Sequence, residues 1–237
     1  MNTTKHIVSF SGGKDSTAML LMMLEKNMQV DDILFADTGK DFPQMYEHIK
    51  KVENYINKNI IIVKAKHSFD YYLGDIERKN KLKYKHNGRG WADMRIRWCT
   101  SELKTYPIER YLKNSKPYIQ HVGIAHDEKH RAEKYKTRQN IKYPLIDWGI
   151  TEKEALEYCY SHGFDWGGLY DKFKRLSCYC CPLQSINELR VVYKEFPELW
   201  ADMLEMDKKS WRSFRSDYTL TQLNEKFRSE INLFGGK

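Results

Sequence analysis

A short glycine-containing loop near the N-terminus constrains the fold more strongly than any other segment of this chain. The apolar run Ile7–Phe10 leads directly into Ser11-Gly12-Gly13-Lys14-Asp15-Ser16, and an amphipathic helical pattern follows the loop. Glycines allow backbone N–H groups to crowd around an anion, and a helix N-terminus adds the positive end of its dipole. The lysine adds a full charge, and the serines add hydroxyl donors. The sequence therefore predicts a phosphate-binding loop between a strand and a helix, rather than an ordinary strand-to-helix turn.

The first third of the chain alternates apolar runs with amphipathic segments, as βαβ units do. A crossover helix returns the next strand in the same direction, so this order predicts an α/β fold with a parallel sheet and helices on both faces. The predicted strands are Ile7–Phe10, Ile33–Ala36, Ile60–Val63 and Tyr118–Ile124. The predicted helices span Thr17 to about Lys26, about Pro43 to Ile56, and about Phe69 to Lys79.

The C-terminal third carries helix start signals instead. Thr151 and Ser185 are each followed three residues later by a glutamate, which is the capping-box pattern, and Pro197 can occupy the first turn of a further helix. We therefore divide the chain into a nucleotide-binding domain, residues 1–150, and a smaller, mainly helical region, residues 151–237. The basic, glycine-containing stretch Lys79–Arg97 is expected to be a mobile loop.

Charge and hydropathy limit the function classes. The 237 residues include 40 Lys and Arg against 32 Asp and Glu, which gives a formal net charge of +8. This balance favours anionic ligands, and it fits either a mildly basic solvated surface or a nucleic-acid footprint. No apolar stretch approaches the roughly 20 residues that cross a bilayer, and the N-terminus has no signal-peptide pattern. We therefore expect a cytoplasmic protein that does not enter a membrane.

Four of the five cysteines fall into two segments that together offer the ligands of one metal centre. Cys99 stands alone in the first segment, and Cys178-Tyr179-Cys180-Cys181 forms the second. Four thiols suit a [4Fe–4S] cluster or a tetrahedral zinc ion, and a cation offsets the repulsion between thiolates. We expect the four to converge on one centre, unless one of the adjacent Cys180 and Cys181 is a free sulfur carrier. Cys159 lies inside a predicted helix and is expected to be a buried apolar residue.

Several motifs resemble those of one enzyme family. The loop matches Ser-Gly-Gly-x-Asp-Ser, the signature of the PP-loop adenine nucleotide α-hydrolases, whose fold is Rossmann-like (HUP-type). Asp37-Thr38-Gly39, ahead of Phe42-Pro43, resembles an element of the phosphoadenosine-phosphosulfate (PAPS) reductase-like proteins. Val122–Arg131 resembles their element Gly-Ile-Arg-x-x-Glu-Ser-x-x-Arg, with Ala125 in place of the first arginine. The chain is thus similar to the PAPS reductase-like branch of the PP-loop superfamily.

The cysteine segments extend the resemblance but differ in detail. Sulfonucleotide reductases have Cys-Cys where this chain has Cys99-Thr100, and Cys-x-x-Cys where it has Cys-x-Cys-Cys. The resemblance implies a [4Fe–4S] cluster, with Zn²⁺ as the alternative, held by Cys99, Cys178, Cys180 and Cys181.

The resemblance also implies a nucleotide and its ligands. The loop would bind ATP with Mg²⁺, and catalytic roles fall to Lys14, Asp15 and Arg131, the last as a clamp on a phosphate or on the transferred adenylate. Asp37 would contact Mg²⁺ or the nucleotide at the carboxyl edge of the sheet. The predicted nucleotide-binding residues are Ser9, Phe10, Ser11, Gly12, Gly13, Lys14, Asp15, Ser16, Asp37, Thr38, Gly39 and Gly123.

Three functions follow from these motifs. The leading one is an ATP pyrophosphatase that makes AMP and pyrophosphate, adenylates an acceptor and passes sulfur to it through the cysteine site. The alternative is a sulfonucleotide reductase, against which the intact loop and the cysteine-free tail Ile231–Lys237 count. The third is a nucleotide-binding subunit without turnover, in which Lys79–Arg97 binds RNA or DNA and the cysteines only brace the fold. Besides the nucleotide, a nucleic acid or a sulfur-donor protein is a candidate partner.

Overall fold

The sheet of the protein is parallel throughout. The computed structural model describes residues 3–77, 86–135 and 137–234. Within them the strands are β1 (Lys5–Ser9), β2 (Asp32–Asp37), β3 (Ile61–Lys64), β4 (Tyr118–Val122) and β5 (Ile141–Lys142). They pair in the order β3-β2-β1-β4-β5, each pair parallel. The predicted α/β Rossmann-like fold is confirmed, and β5 is a strand that the apolar pattern did not reveal.

The central strand β1 has its two apolar residues in the core of the sheet. Ile7 and Val8 are fully buried, as expected for a parallel strand covered on both faces. Val8 is in register with Ile33 of β2 on one side and with His121 of β4 on the other. The chain builds outward from β1 to β3 and then returns to the other side of β1. This reversal of strand order creates a switch point at the carboxyl ends of β1 and β4, where open α/β sheets bind their ligands.

Helices account for most of the remaining described chain. They are α1 (Lys14–Glu25), α2 (Pro43–Ile56), α3 (Trp98–Thr100), α4 (Tyr106–Lys113), α5 (Pro144–Asp147), α6 (Glu152–Ser161), α7 (Leu169–Lys172), α8 (Ile186–Glu195), α9 (Pro197–Lys209) and α10 (Leu220–Phe234). A ten-residue 3₁₀ segment, His126–Tyr135, follows β4. None of the helices in the described part of the chain has the length and apolarity to cross a membrane.

The helix boundaries follow local signals closely. The predicted bounds of α2 are confirmed, with Pro43 in its first turn. The predicted start of α1 at Thr17 is wrong by three residues, because the second half of the phosphate loop already forms the first helical turn. Gly13 caps that turn with φ −80° and ψ 167°, and its carbonyl oxygen accepts the Thr17 N–H at 3.0 Å. The capping boxes at Thr151 and Ser185 both form as predicted.

The predicted helix from Phe69 to Lys79 is the main error in the described chain, although its last two residues lie outside the described part. The structure has instead a single π-helical segment, Tyr71–Asp75. Gly74 weakens a helix here, and a Cβ on it would lie 2.7 Å from the Cβ of Lys209. The chain is therefore shaped at this point by close packing and not by helix propensity.

By its internal contacts the chain divides into two compact units. Unit 1 comprises Met1–Asp37, Phe42–Lys64 and Thr105–Leu176, and unit 2 comprises Thr38–Asp41, Ala65–Lys104 and Ser177–Lys237. Unit 1 holds the whole sheet. The domain boundary at residue 150 stays a prediction. The boundaries of the two compact units differ from it, because residues 151–176 belong to the unit of the sheet and residues 65–104 to the unit of the C-terminal helices.

Each unit has its own packing. In unit 1, Leu112 of α4 packs with Ile7 and Leu34 on one face of the sheet. In unit 2, Trp200 of α9 and Phe227 of α10 pack together, with ring centroids 5.6 Å apart.

The predicted mobile loop, Lys79–Arg97, is described from residue 86 onward, and this part belongs to unit 2. Buried side chains anchor residues 86–97. Trp91 is 1% exposed, and its indole N–H donates to Asp207 at 2.6 Å.

Candidate functional site

The Ser11–Ser16 loop is closed by its own serines. The Ser16 hydroxyl accepts the backbone N–H of Ser11 at 3.1 Å and donates to the carbonyl oxygen of Gly13 at 3.0 Å. Gly12 has φ +77°, a left-handed conformation that favours glycine. Among the described residues, the N–H groups of Gly12 and Gly13 have no acceptor. Two donors thus stand free at the N-terminus of α1, which is the arrangement that binds phosphate.

Two aromatic side chains, Trp166 just before α7 and Tyr170 within it, hold this loop in place. The indole N–H of Trp166 donates to the carbonyl oxygen of Gly12 at 2.7 Å. The Tyr170 hydroxyl accepts the backbone N–H of Lys14 at 2.8 Å, and burial raises the pKa of that phenol. The intervening chain is tightly bent, with φ +51° at Trp166, +59° at Gly167 and +76° at Gly168. A non-glycine residue in the left-handed region stores strain of the kind found at functional sites.

Three carboxylates gather beside Lys14. The oxygens of Asp15, Glu128 and Glu152 lie within 4.8 Å of one another. The Lys14 ammonium, only 8% exposed as a residue, is 3.0 Å from Asp15 and 2.6 Å from Glu152. Burial raises the pKa of Asp15, and Glu152 and Glu128 raise it further, while Lys14 opposes them. Oxygen ligands grouped in this way suit a magnesium ion, whose charge would relieve their mutual repulsion.

The predicted phosphate clamp, Arg131, lies at the edge of this cluster. Its guanidinium donates to the carboxylate of Glu128.

Gly123, at the end of β4, lies against the phosphate loop. A Cβ on Gly123 would lie 2.9 Å from both the N and the Cα of Ser16, so only glycine allows the two segments this approach.

Three other residues that the sequence predicts to bind nucleotide have side chains that already contact other residues of unit 1. The Ser9 hydroxyl accepts from Gln120 at 2.8 Å, and Phe10 is a core side chain, 2% exposed. The Asp37 carboxylate accepts the Tyr46 hydroxyl at 2.9 Å and pairs with Lys64 at 3.0 Å. The Phe10 N–H is also engaged, since it donates to the carbonyl oxygen of Leu34 at 2.8 Å.

Thr38 belongs to unit 2 and lies at the cysteine segment. Its hydroxyl donates to Asp41 at 3.0 Å and is 3.4 Å from the sulfur of Cys178. Gly39, which follows, has φ +70° and open space where a Cβ would be. The structure thus brings a residue predicted to bind nucleotide into contact with a predicted metal ligand.

The thiols of Cys99, Cys178, Cys180 and Cys181 are all reduced in unit 2, and they influence one another. Burial raises the pKa of the Cys178 thiol to about 12, and the neighbouring Cys181 adds to the rise. Burial and then Cys181 likewise raise the pKa of Cys99. Lys104 is the cation of this group. Burial lowers its pKa, but Cys178, Asp41 and the other thiols outweigh that effect, so the pKa of Lys104 is raised.

The spacing of these sulfurs bears on the kind of metal they fit. Across the described residues, the three carboxylates beside Lys14 are the only group of three or more candidate ligands within 4.8 Å of one another. Sulfurs around a tetrahedral zinc ion lie about 3.8 Å apart, given a Zn–S bond of about 2.3 Å. An iron–sulfur cluster separates its cysteine sulfurs more widely, since four irons lie between them. Either group can be held by four cysteine thiolates.

Cys159 is separate from this group, as predicted. It is fully buried in unit 1, and its thiol donates to the carbonyl oxygen of Lys14 at 3.4 Å. This hydrogen bond helps to hold the phosphate loop in place.

Trp166, Tyr170, Glu128 and Glu152 are the site residues that sequence reasoning missed. Trp166-Gly167-Gly168 offered a signal, because two adjacent glycines after an aromatic residue mark a tight bend. Glu128 had a signal too, because it occupies the glutamate position of the element that Val122–Arg131 resembles. Glu152 had none, since a glutamate at the start of a helix is ordinary capping chemistry.

Comparison with known proteins identifies relatives of this chain. The chain is 31% identical to an uncharacterised protein of Methanocaldococcus jannaschii over 212 residues, which cover 83% of this chain and 47% of that one. It therefore spans about half the length of that relative. It is 27% identical to the adenosine 5'-phosphosulfate reductase of Bacillus mycoides, over 75% of this chain and 73% of that enzyme.

A solved structure and a family model complete the comparison. The crystal structure of a PAPS reductase from Candida auris, in complex with phosphate, matches with a TM-score of 0.50 and 21% identity, over 74% of this chain and 82% of that one. This likeness shows the fold. The model of the phosphoadenosine phosphosulfate reductase domain matches residues 5–184, most of the chain, and the chain belongs to that family.

Proposed function

We propose that the chain binds ATP with Mg²⁺ at the Ser11–Ser16 loop and cleaves it between the α and β phosphates, giving AMP and pyrophosphate. The observation that carries this proposal is the pairing of a free anion-binding turn with a carboxylate cluster around one lysine. Free N–H groups at Gly12 and Gly13 fit phosphate oxygens, and three carboxylates fit the metal that accompanies ATP.

Each residue then has a role in stabilising the leaving pyrophosphate. The N–H groups of Gly12 and Gly13, with the dipole of α1, hold its negative charge. The Lys14 ammonium, now shared between Asp15 and Glu152, is within reach of the same anion and adds a charge-assisted contact. Asp15, Glu128 and Glu152 would hold Mg²⁺, which neutralises charge as the α–β bond breaks. Arg131 is the clamp for the adenylate.

We further propose that the α phosphate passes to an acceptor as an adenylate, and that sulfur then replaces the adenylate. Adenylation turns a poor leaving group into a good one. The cysteines of unit 2 would hold a [4Fe–4S] cluster for the sulfur step, with zinc as the alternative. A sulfur-donor protein, and a nucleic acid as acceptor, are the partners that we propose.

Pyrophosphate release tests the first step. Lys14→Ala should abolish most release under anaerobic conditions with ATP and Mg²⁺, because the variant loses a charge that faces the phosphates. Lys5→Ala is the matched control: it removes the same charge from another ion pair in unit 1, Lys5 with Asp32 at 3.0 Å, away from the loop. Equal rates in the two variants would remove the loop from the mechanism, and no release by the wild type would favour a subunit without turnover.

A second candidate function is that of a sulfonucleotide reductase. Its support is the relative from Bacillus mycoides, whose name states that activity and of which this chain covers 73%. Supplying adenylylsulfate or PAPS with a thiol reductant separates the candidates. Release of sulfite would establish a reductase, whereas a pyrophosphatase leaves the sulfonucleotide intact and consumes ATP.

A further inference from the structure

Two segments of unit 2, residues 86–97 and residues 208–212, are joined into one surface. The Arg212 guanidinium of the second segment pairs with the carboxylate of Asp93 in the first. The indole N–H of Trp211 donates to a backbone carbonyl oxygen of the first segment at 3.3 Å. Both segments belong to the same compact unit. We call the face that they present the Trp211 surface.

Large apolar side chains are exposed on the Trp211 surface. Met94 is 80% exposed, Ile96 is 51% exposed and Trp211 is 45% exposed. The turn that carries Met94 and Ile96 is held by internal hydrogen bonds, because the Asp93 carboxylate accepts the backbone N–H groups of Arg95 and Ile96 at 2.7 and 2.6 Å. A single exposed apolar side chain is ordinary, but three on one ordered surface indicate a binding partner.

The charge of this surface is positive. Its two segments contain six Lys and Arg residues against a single acidic residue, Asp93. Arg95 and Arg97 are exposed, and neither forms an ion pair with any residue in the described part of the chain. Cations that are not neutralised by nearby carboxylates attract the phosphates of a nucleic-acid backbone.

The aromatic rings of the surface are arranged as a stack. The His86 ring is nearly parallel to the Trp211 ring, with an interplanar angle of 8° and centroids 5.7 Å apart. The Arg212 guanidinium lies over the Trp211 ring, 5.7 Å from its centroid. Both rings are exposed, so an unpaired base can extend this stack. Aromatic rings beside arginines are the means by which proteins hold single-stranded nucleic acid.

We propose that the Trp211 surface binds single-stranded nucleic acid, with bases stacked on Trp211 and His86 and with phosphates against Arg95 and Arg97. This inference deepens the proposed function, because it locates the nucleic-acid acceptor, and it does not depend on the cleavage of ATP. Arg97 precedes Cys99 by two positions, so a bound strand is close to a cysteine proposed for the sulfur step. A duplex fits less well, because its bases are already stacked and paired.

The test measures the binding of a fluorescent oligonucleotide of about 12 nucleotides by anisotropy, with the full chain. The same sequence is supplied as single-stranded RNA, as single-stranded DNA and as a duplex. Trp211→Ala should raise the Kd for the single strands by roughly five-fold or more, whereas Trp211→Phe, which keeps a ring, should bind like the wild type. Tyr106→Ala is the matched control, because Tyr106 is an exposed aromatic residue of unit 1. Circular dichroism reports the folding of every variant.

The arginines are tested by the salt dependence of binding. Each contact with a phosphate of a single strand contributes about 0.7 to the slope of log Kd against log salt, so the double variant Arg95→Ala, Arg97→Ala should reduce that slope by about 1.4. The control is Lys50→Ala, Lys113→Ala, which removes two exposed charges from the helices of unit 1 and should leave the slope unchanged.

Several results would overturn the proposal. These are a wild type that binds no single strand, tighter binding of the duplex than of either single strand, and equal Kd values for Trp211→Ala and Tyr106→Ala. In the first case the exposed apolar side chains would be left to a protein partner. Pyrophosphate release is measured on the same samples, with and without the oligonucleotide. Release without binding refutes this surface alone, and binding without release refutes the proposed cleavage of ATP alone.

Discussion

Replacing Gly123 by alanine tests whether the end of β4 positions the phosphate loop. The new Cβ would lie 2.9 Å from the N and the Cα of Ser16, closer than ordinary van der Waals contact, and neither backbone atom can rotate away. Overpacking of this kind costs about 1–3 kcal/mol. The first turn of α1 must shift, and with it the Ser16 hydroxyl that holds the N–H of Ser11 at 3.1 Å.

We expect the shift of the first turn of α1 to weaken the binding of ATP. Loss of one well-aligned hydrogen bond to a charged phosphate corresponds to about 1.5–3 kcal/mol, so the Kd for ATP should rise by roughly ten-fold or more. Gly149→Ala is the matched control, because Gly149 has φ +73° and nothing within 4 Å of its Cβ position. Its left-handed strain costs about 1–2 kcal/mol of stability without touching the loop.

Urea unfolding and calorimetric ATP titration measure both effects. The two variants should lose similar stability, while ATP affinity falls only in Gly123→Ala. If Gly123→Ala binds ATP as tightly as Gly149→Ala does, the close approach of β4 to the loop has no part in nucleotide binding.

Three further variants test other parts of the account. Lys14→Ala should weaken ATP binding by about 1.5–3 kcal/mol in calorimetry, since a charge-assisted contact is lost; unchanged affinity in the folded variant contradicts this. Tyr170→Phe removes the acceptor of the Lys14 N–H and should lower the free energy of unfolding, measured in urea, by about 1–3 kcal/mol. An unchanged free energy of unfolding would show that water replaces this acceptor. Burial lowers the pKa of His48 to about 3, so the unfolded chain takes up a proton that the folded chain does not. Stability should therefore fall by about 1.4 kcal/mol per pH unit as the pH drops from about 6.5 towards 3, and His48→Gln should flatten that slope in urea titrations at several pH values.

Local signals account for the parts of the fold that could be predicted from the sequence. The phosphate loop, each end of α2 and the two capping boxes depend on residues that are close together in the chain, so a single sequence contains them. The start of α1 was misplaced because the same residues serve both as loop and as first helical turn. In Phe69–Lys79, Gly74 meets Lys209, and no local pattern records a contact between residues so far apart in the chain.

In the candidate site too, local motifs predict part of the structure, and contacts between distant residues determine the rest. The loop motif identified the residues that we propose to face an anion, but not the side chains that hold the loop. Trp166 and Tyr170 reach it from about 150 positions away, with hydrogen bonds to Gly12 and Lys14. The carboxylate cluster joins Asp15 to Glu128 and Glu152 in the same way. Such contacts are products of the sheet topology, which brings the segments after β4 and β5 back to the end of β1.

The identity of the nucleotide products is the most direct test of the central claim. Wild-type protein, purified anaerobically, is incubated with ATP and Mg²⁺, and the products are followed by phosphorus NMR. Cleavage at the α–β bond predicts signals of AMP, or of an adenylated acceptor, together with pyrophosphate. Signals of ADP and inorganic phosphate as the main products would show that a different bond is broken, and would contradict the mechanism proposed for the Ser11–Ser16 loop.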